Sequence, residues 1–169
     1  MSYLKIVVLF SSLFLLSCCS EKDCCAPAPY EHNVSMMVVD NEGNDLLDPN
    51  NSNGFNHTAI RVYEIYEGDT TLIQKGIETG MYGFVITSPR GRPFDKYVLE
   101  VIYAYLPNWK VGSENAKVLI QWNDTKSAIL DAKFEKIGTT SYLTQIDYNG
   151  KKVWEADGSS NYHFEVIEN

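Results

Sequence analysis

A chain of 169 residues with a formal net charge of −8 carries material for about one domain. That negative balance excludes a nucleic-acid surface built on a basic stripe, which needs clustered Lys and Arg to displace counterions from phosphates. The composition is 44% hydrophobic, with eleven tyrosines, seven phenylalanines and three tryptophans, and this is ample for an apolar core. All four cysteines (Cys18, Cys19, Cys24 and Cys25) lie ahead of that core, so the folded part is expected to hold together without a disulfide or a thiolate metal site.

In chain order, Lys5 supplies a short positive region, residues 6–16 form an apolar run broken by Ser11 and Ser12, and Ser17 is a small residue just before Cys18. Positive, then apolar, then small is the pattern of a secretory signal. The run is shorter than the roughly 20 apolar residues that a membrane-crossing helix needs. Leu15-Leu16-Ser17-Cys18 resembles the lipobox of bacterial lipoproteins. The resemblance implies cleavage before Cys18, a diacylglycerol on its sulfur and an acylated new amino end. Several acyl chains on one residue suit stable anchoring, because a single chain binds membranes only marginally. Cys19 is a rival acceptor.

Ser20-Glu21-Lys22-Asp23 follows, and this charged, acidic run resembles the surface-export signal of Bacteroidetes-type lipoproteins. The residue after Cys18 is not the Asp of an inner-membrane retention signal. Together these resemblances imply a lipid-anchored protein of the bacterial outer membrane, periplasmic or surface-facing. The plain alternative is a solvated tether that happens to be charged. Ala26-Pro27-Ala28-Pro29 favours an extended backbone without internal hydrogen bonds. The expected division is a signal peptide over 1–17, a lipidated cysteine and tether over 18–33, and a single β-domain over 34–169.

Residues 34–40 read as a first strand, ended by the turn signal Asn41-Glu42-Gly43-Asn44. Residues 48–54 are a loop by composition. Residues 59–66 read as a second strand with Ile60, Val62 and Glu64 on one face and Arg61, Tyr63 and Ile65 on the other. A turn at Gly68-Asp69 precedes strands over 71–74 and 82–87. Residues 97–106 form a strand apolar or aromatic on both faces, which places it in the middle of a sheet. Strands follow over 117–122 and 127–136, the latter strictly alternating and therefore wet on one side. Strands over 141–148 and 151–154 flank Asn149-Gly150, the strongest short hairpin signal. Residues 162–167 close the chain. No amphipathic helix is evident after residue 20.

Many short strands separated by regular turn signals predict an all-β fold, an antiparallel β-sandwich of Ig-like or prealbumin-like kind. The alternative is an up-and-down β-barrel of lipocalin kind that would carry a small apolar ligand in its lumen. Val38-Val39-Asp40-x-x-Gly43-Asn44-x-Leu46 and Thr79-Gly80-Met81-Tyr82-Gly83-Phe84 resemble the opening hairpin and a later strand entry of prealbumin-like and carboxypeptidase-regulatory-like domains, with Asp45 where that family carries Pro. Gln121-Trp122-Asn123 and Asn149-Gly150-Lys151-x-x-Trp154 resemble uncharacterised small lipoproteins of Bacteroidetes type.

The residues offer little catalytic chemistry. Asp40, Glu42, Asp45 and Asp48 cluster around Gly43, and oxygen-rich loops bind calcium. Their spacing is not that of a helix–loop–helix site, and acidic residues also favour turns for local hydrogen bonding. His32, His57 and His163 show no paired spacing for a metal. No Gly-x-Ser-x-Gly occurs, and Asp131 and Glu135 fall on the wet face of one strand. The expectation is therefore a non-enzymatic module with no metal and no cofactor, anchored to the membrane by lipid and meeting an envelope protein or glycan. Trp109, in a loop after Pro107-Asn108, is the candidate contact residue. Asp69-Thr70-Thr71 resembles the O-glycosylation acceptor of exported Bacteroidetes proteins, which makes Thr70 a candidate modification site.

Overall fold

Strict alternation along one long strand sets the architecture. In Ser127–Ile137, the residues Ala128, Leu130, Ala132 and Phe134 are buried while Ser127, Ile129, Lys133 and Glu135 face out, as a period of two requires of a half-buried strand. The computed structural model describes residues 33–74, 83–89, 95–103, 106–110, 112–138, 140–157 and 163–168. Among these there is no α-helix, and no helix long and apolar enough to cross a membrane. The segments read above as signal, lipobox and tether, including Cys18 and His32, lie outside the described residues.

The strands are β1 (Asn33–Val39), β2 (Arg61–Tyr66), β3 (Asp69–Leu72), β4 (Phe84–Thr87), β5 (Val98–Ile102), β6 (Asn115–Gln121), β7 (Ser127–Ile137), β8 (Thr140–Tyr148), β9 (Lys151–Glu155) and β10 (His163–Ile167). They form a four-stranded sheet in the order β10-β1-β5-β4 and a six-stranded sheet in the order β3-β2-β6-β7-β8-β9. The two sheets pack face to face as a β-sandwich. They do not join at their edges, so the alternative barrel does not form. The space between them is filled by side chains, Trp122, Tyr103, Phe84, Met36 and Leu130 among the largest. As expected from its two apolar faces, β5 lies inside its sheet, between β1 and β4.

Two features depart from the sequence reading. The β2–β3 turn is centred on Glu67 and Gly68, both at positive φ (51° and 92°), with Tyr66 paired to Asp69. This is a two-residue loop of the kind whose twist matches flanking strands, and it starts β3 at Asp69 instead of residue 71. The other departure is that β1 and β10 pair in parallel, Ser35 against His163 through Val39 against Ile167. Alternation within a strand cannot report that orientation. Asn149 and Gly150 take positive φ (50° and 77°), as the hairpin signal requires. The Asn149 side chain also accepts from the Ile129 N–H at 2.8 Å, which ties the turn to β7.

The core is one apolar layer with few polar intrusions. Phe55 stacks on Trp122 at 5.0 Å between centroids, and Tyr103 meets Phe134 edge-on at 5.7 Å. Glu64 points inward from β2 and is only 4% exposed. Its carboxylate accepts from the Asn108 backbone N–H (3.0 and 3.1 Å to the two oxygens) and from the Asn108 side-chain amide (2.9 Å). A buried carboxylate is tolerated when donors surround it in this way. The pair pins the loop around residue 108 to the six-stranded sheet. Removing the amide with Asn108→Ala strips a donor from a buried acceptor. It is expected to destabilise the full-length chain by about 1–3 kcal/mol, measured as a lowered urea midpoint at unchanged slope.

Burial pushes the phenols of Tyr103 and Tyr148 well above their ordinary value, aided for Tyr148 by its hydrogen bond to Glu168. The unfolded chain therefore releases these protons first, and the stability they contribute is intact below about pH 10 and lost as pH rises beyond it. The Tyr103 hydroxyl is buried with no hydrogen-bond partner among the described residues. Tyr103→Phe removes that orphaned group, so stability at neutral pH is expected to hold or rise by up to about 1 kcal/mol. The alkaline loss should become shallower. Urea titrations at neutral pH and above pH 10 check both outcomes.

Candidate functional site

The outward face of the six-stranded sheet carries apolar residues where solvent would favour polar ones. Register places Leu72, Tyr63, Leu119 and Ile129 in one row across β3, β2, β6 and β7. Leu72, Tyr63 and Leu119 are half-buried, and Ile129 is 39% exposed. Beside that row, Gln121 on β6 faces Ser127 on β7. The β6–β7 turn rises at this end of the strands and is held from within. Asn123 Oδ1 accepts from the Thr125 N–H (2.9 Å), the Lys126 N–H (2.8 Å) and the Thr125 hydroxyl (3.0 Å), while the Trp122 N–H donates to the Lys126 carbonyl at 2.9 Å.

Floor and wall together make a groove of about 400 Å³ lined by Tyr63, Thr70, Leu119, Gln121 and residues 123–127. The volume lies in the roughly 300–1,000 Å³ range of small-ligand sites. The Tyr63 hydroxyl donates to Gln121 Oε1 at 3.0 Å. This fixes the phenol ring and turns the Gln121 amide nitrogen, which makes no other bond among the described residues, into a free donor. The Lys126 ammonium, which also lines the groove, sits 5.9 Å from the Phe55 ring centroid and keeps its positive charge there. Asp124 has no ion-pair or hydrogen-bond partner among the described residues. The groove therefore offers an aromatic face, an aliphatic neighbour, an amide donor, a carboxylate and the hydroxyls of Thr70 and Ser127.

A second depression, of about 610 Å³, lies over Gly112, Glu114, Asn115 and the far part of β7. Two of its five charged side chains are paired with neighbours, Asp131 with Lys117 at 2.9 Å and Lys133 with Asp147 at 3.1 Å. The Gln145 amide and Lys133 hold the Asp147 carboxyl below the usual carboxylate range. Asp131 thus has a cation partner, and Glu135 stands exposed on the wet face as expected.

The structure distributes the sequence candidates unevenly. Thr70 is exposed on edge strand β3 and lines the groove. Trp109, expected to stand out from a loop, is instead only partly exposed. Its ring packs on the core, 5.7 Å from Phe134, and its indole nitrogen is shielded from solvent. The Glu64–Asn108 pairing explains this, because it draws the neighbouring residue down against the sheet.

The acidic loop is spent on turns. Asp40 accepts from the Glu42 and Asn44 N–H groups (2.9 Å each) and from the Asn44 amide (2.8 Å), and Asn44 holds its carboxyl below the ordinary value. Asp45 accepts from the N–H groups of Leu47 (2.8 Å) and Tyr97 (2.7 Å), and Asp48 from Asn50 (2.8 Å). No group of acids, histidines or cysteines among the described residues is arranged to hold a metal. His57 Nε2 bonds the Leu47 carbonyl at 2.7 Å, and since a carbonyl only accepts, that nitrogen carries the hydrogen. His163 lies on β10 opposite Ser35.

Sequence reasoning placed Tyr63 on the face of β2 opposite Ile60 and Val62 but did not single it out. Leu119 and Gln121 join it only through strand register, which the sequence does not print. Comparison with protein-family models, with curated proteins and with solved structures finds no match to this chain.

Proposed function

We propose that the chain is a lipid-anchored binding module of the bacterial cell envelope, without a catalytic role, and that the outward groove of its six-stranded sheet is where it meets its partner. The observation that carries the binding part is the groove itself. It has a wall held by its own hydrogen bonds and an aromatic floor tied to Gln121, while the Gln121 amide nitrogen, Asp124 and Ser127 have no side-chain partner among the described residues. Neither histidine nor cysteine lines it, and its hydroxyls have no base set against them. Such a surface is suited to holding a ligand, in keeping with sites that are mostly apolar with a few placed polar groups.

The anchor rests on Leu15-Leu16-Ser17-Cys18 and the charged run behind it, which together support an outer-membrane location, periplasmic or surface-facing. Thr70, exposed beside the groove, is the residue we assign to O-glycosylation on the strength of Asp69-Thr70-Thr71.

Cys18→Ala is expected to abolish incorporation of a labelled fatty acid and to release the protein from the membrane fraction. Metabolic labelling followed by fractionation checks this. Undiminished labelling in the variant would move the attachment to Cys19 or discard the anchor.

A further inference from the structure

Taking the binding reading above as its premise, we infer that the groove takes a short, uncharged saccharide, with a sugar ring laid against the Tyr63 ring. Four observations converge on that ligand class. The first is that the floor is an aromatic ring of fixed orientation, because its hydroxyl is committed to Gln121 Oε1 at 3.0 Å. A half-buried ring tied at its hydroxyl and paired with Leu119 across the strands gives an apolar surface to the C–H face of a pyranose, and an aromatic of this kind buries a large area at little entropic cost. The second is the set of groups around that platform. The Gln121 amide nitrogen, the Asp124 carboxylate and the Ser127 hydroxyl line the same groove as donors and acceptors with no partner among the described residues. Vicinal sugar hydroxyls act as donor and acceptor at once, and a carboxylate takes two of them in bidentate fashion.

Charge is the third observation. Asp124 and Lys126 both line the groove, so its lining carries one charge of each sign. A phosphate, sulfate or uronate meets no net positive field there, and charge does not favour an anionic ligand over a neutral one. The fourth is size: about 400 Å³ is small for a docked protein surface and sufficient for a short saccharide. A flat protein partner would also leave the hydroxyls and the carboxylate desolvated beneath it without directed partners, at a cost.

The test uses the full-length lipoprotein in a sugar-free amine-oxide detergent, with maltotetraose, mannotetraose and chitotetraose as probes and sulfated heparin fragments as the anionic comparison. Saturation-transfer NMR is expected to show transfer to the ring protons of at least one neutral tetrasaccharide and none to the sulfated one. Tyr63→Ala should weaken that binding by roughly tenfold or more, while Tyr63→Phe, which keeps the ring, should stay within about threefold. Gln121→Ala should weaken it comparably, and circular dichroism should confirm that each variant folds.

Absence of transfer from every neutral probe, preference for the sulfated fragments, or indifference to Tyr63→Ala overturns the saccharide. A photo-cross-linking residue at position 124 in living cells separates this failure from that of the parent reading. A protein adduct that disappears with Tyr63→Ala overturns the saccharide and leaves a binding module. Neither adduct nor saccharide binding overturns both.

Discussion

Everything in this fold depends on a single apolar layer between two sheets. Any covalent help would have to come from cysteines, and all of these precede residue 33, so cohesion of the described body rests on burial. Sheet order makes this workable. The most regular alternation, on β6 and β7, sits in the middle of the six-stranded sheet, where Val118 faces Leu130 and Ile120 faces Ala128 across the pair. Phe55 closes one end of the layer by stacking on Trp122. The polar side chains that enter the layer bring partners with them, as burial demands. Glu64 has Asn108, and Ser141 accepts from the Gly112 N–H at 2.6 Å. The Tyr103 hydroxyl and, by hydrogen-bond geometry, the Trp122 indole nitrogen are exceptions among the described residues, and both rings fill volume that the layer needs.

Stiffness inside has a consequence outside. Trp122 is fully buried, and the residue after it opens the turn that walls the groove. The wall is therefore fixed by the core on one side and by the Asn123 carbonyl on the other. Tyr63 is held in the same way, by strand pairing on both edges and by Gln121 across the pair. Little of the groove has to be ordered when a ligand arrives, and preorganisation of this kind cuts the entropic cost of binding. The ion pairs on the rest of this face, Lys117 with Asp131 and Lys133 with Asp147, add little stability at such exposure. They do keep the neighbouring surface charged and hydrated, so the apolar row stays a local feature.

The ten strands were legible because each needs only local information: alternation, β-branched and aromatic residues, and turn chemistry at its ends. Asn149-Gly150 is the clearest case, since both residues must enter the left-handed region and that dipeptide does so readily. The β2–β3 turn was misplaced by one residue because Glu67, a poor left-handed residue, hides half of the signal. What stayed illegible was relational. The parallel β1–β10 pair joins residues from opposite ends of the chain. The fate of Trp109 depends on Glu64, 45 positions away in the sequence. The groove depends on a register that brings residue 63 beside residues 119 and 121. Loop composition alone makes a tryptophan look exposed, and its packing on the core next to the Glu64–Asn108 pair is a long-range fact that composition does not carry.

On the proposed reading, anchor and groove answer each other's weakness. A shallow groove with one aromatic face and a handful of hydrogen-bonding groups supports only modest intrinsic affinity, because much of the contact energy offsets lost translational freedom. Tethering changes what such affinity can accomplish. Molecules held by acyl chains in one membrane are confined near it, and once one groove has engaged a polymeric ligand the next meets it at a high effective concentration. Weak single sites on a fluid surface can then hold a repeating ligand firmly and still release it one unit at a time.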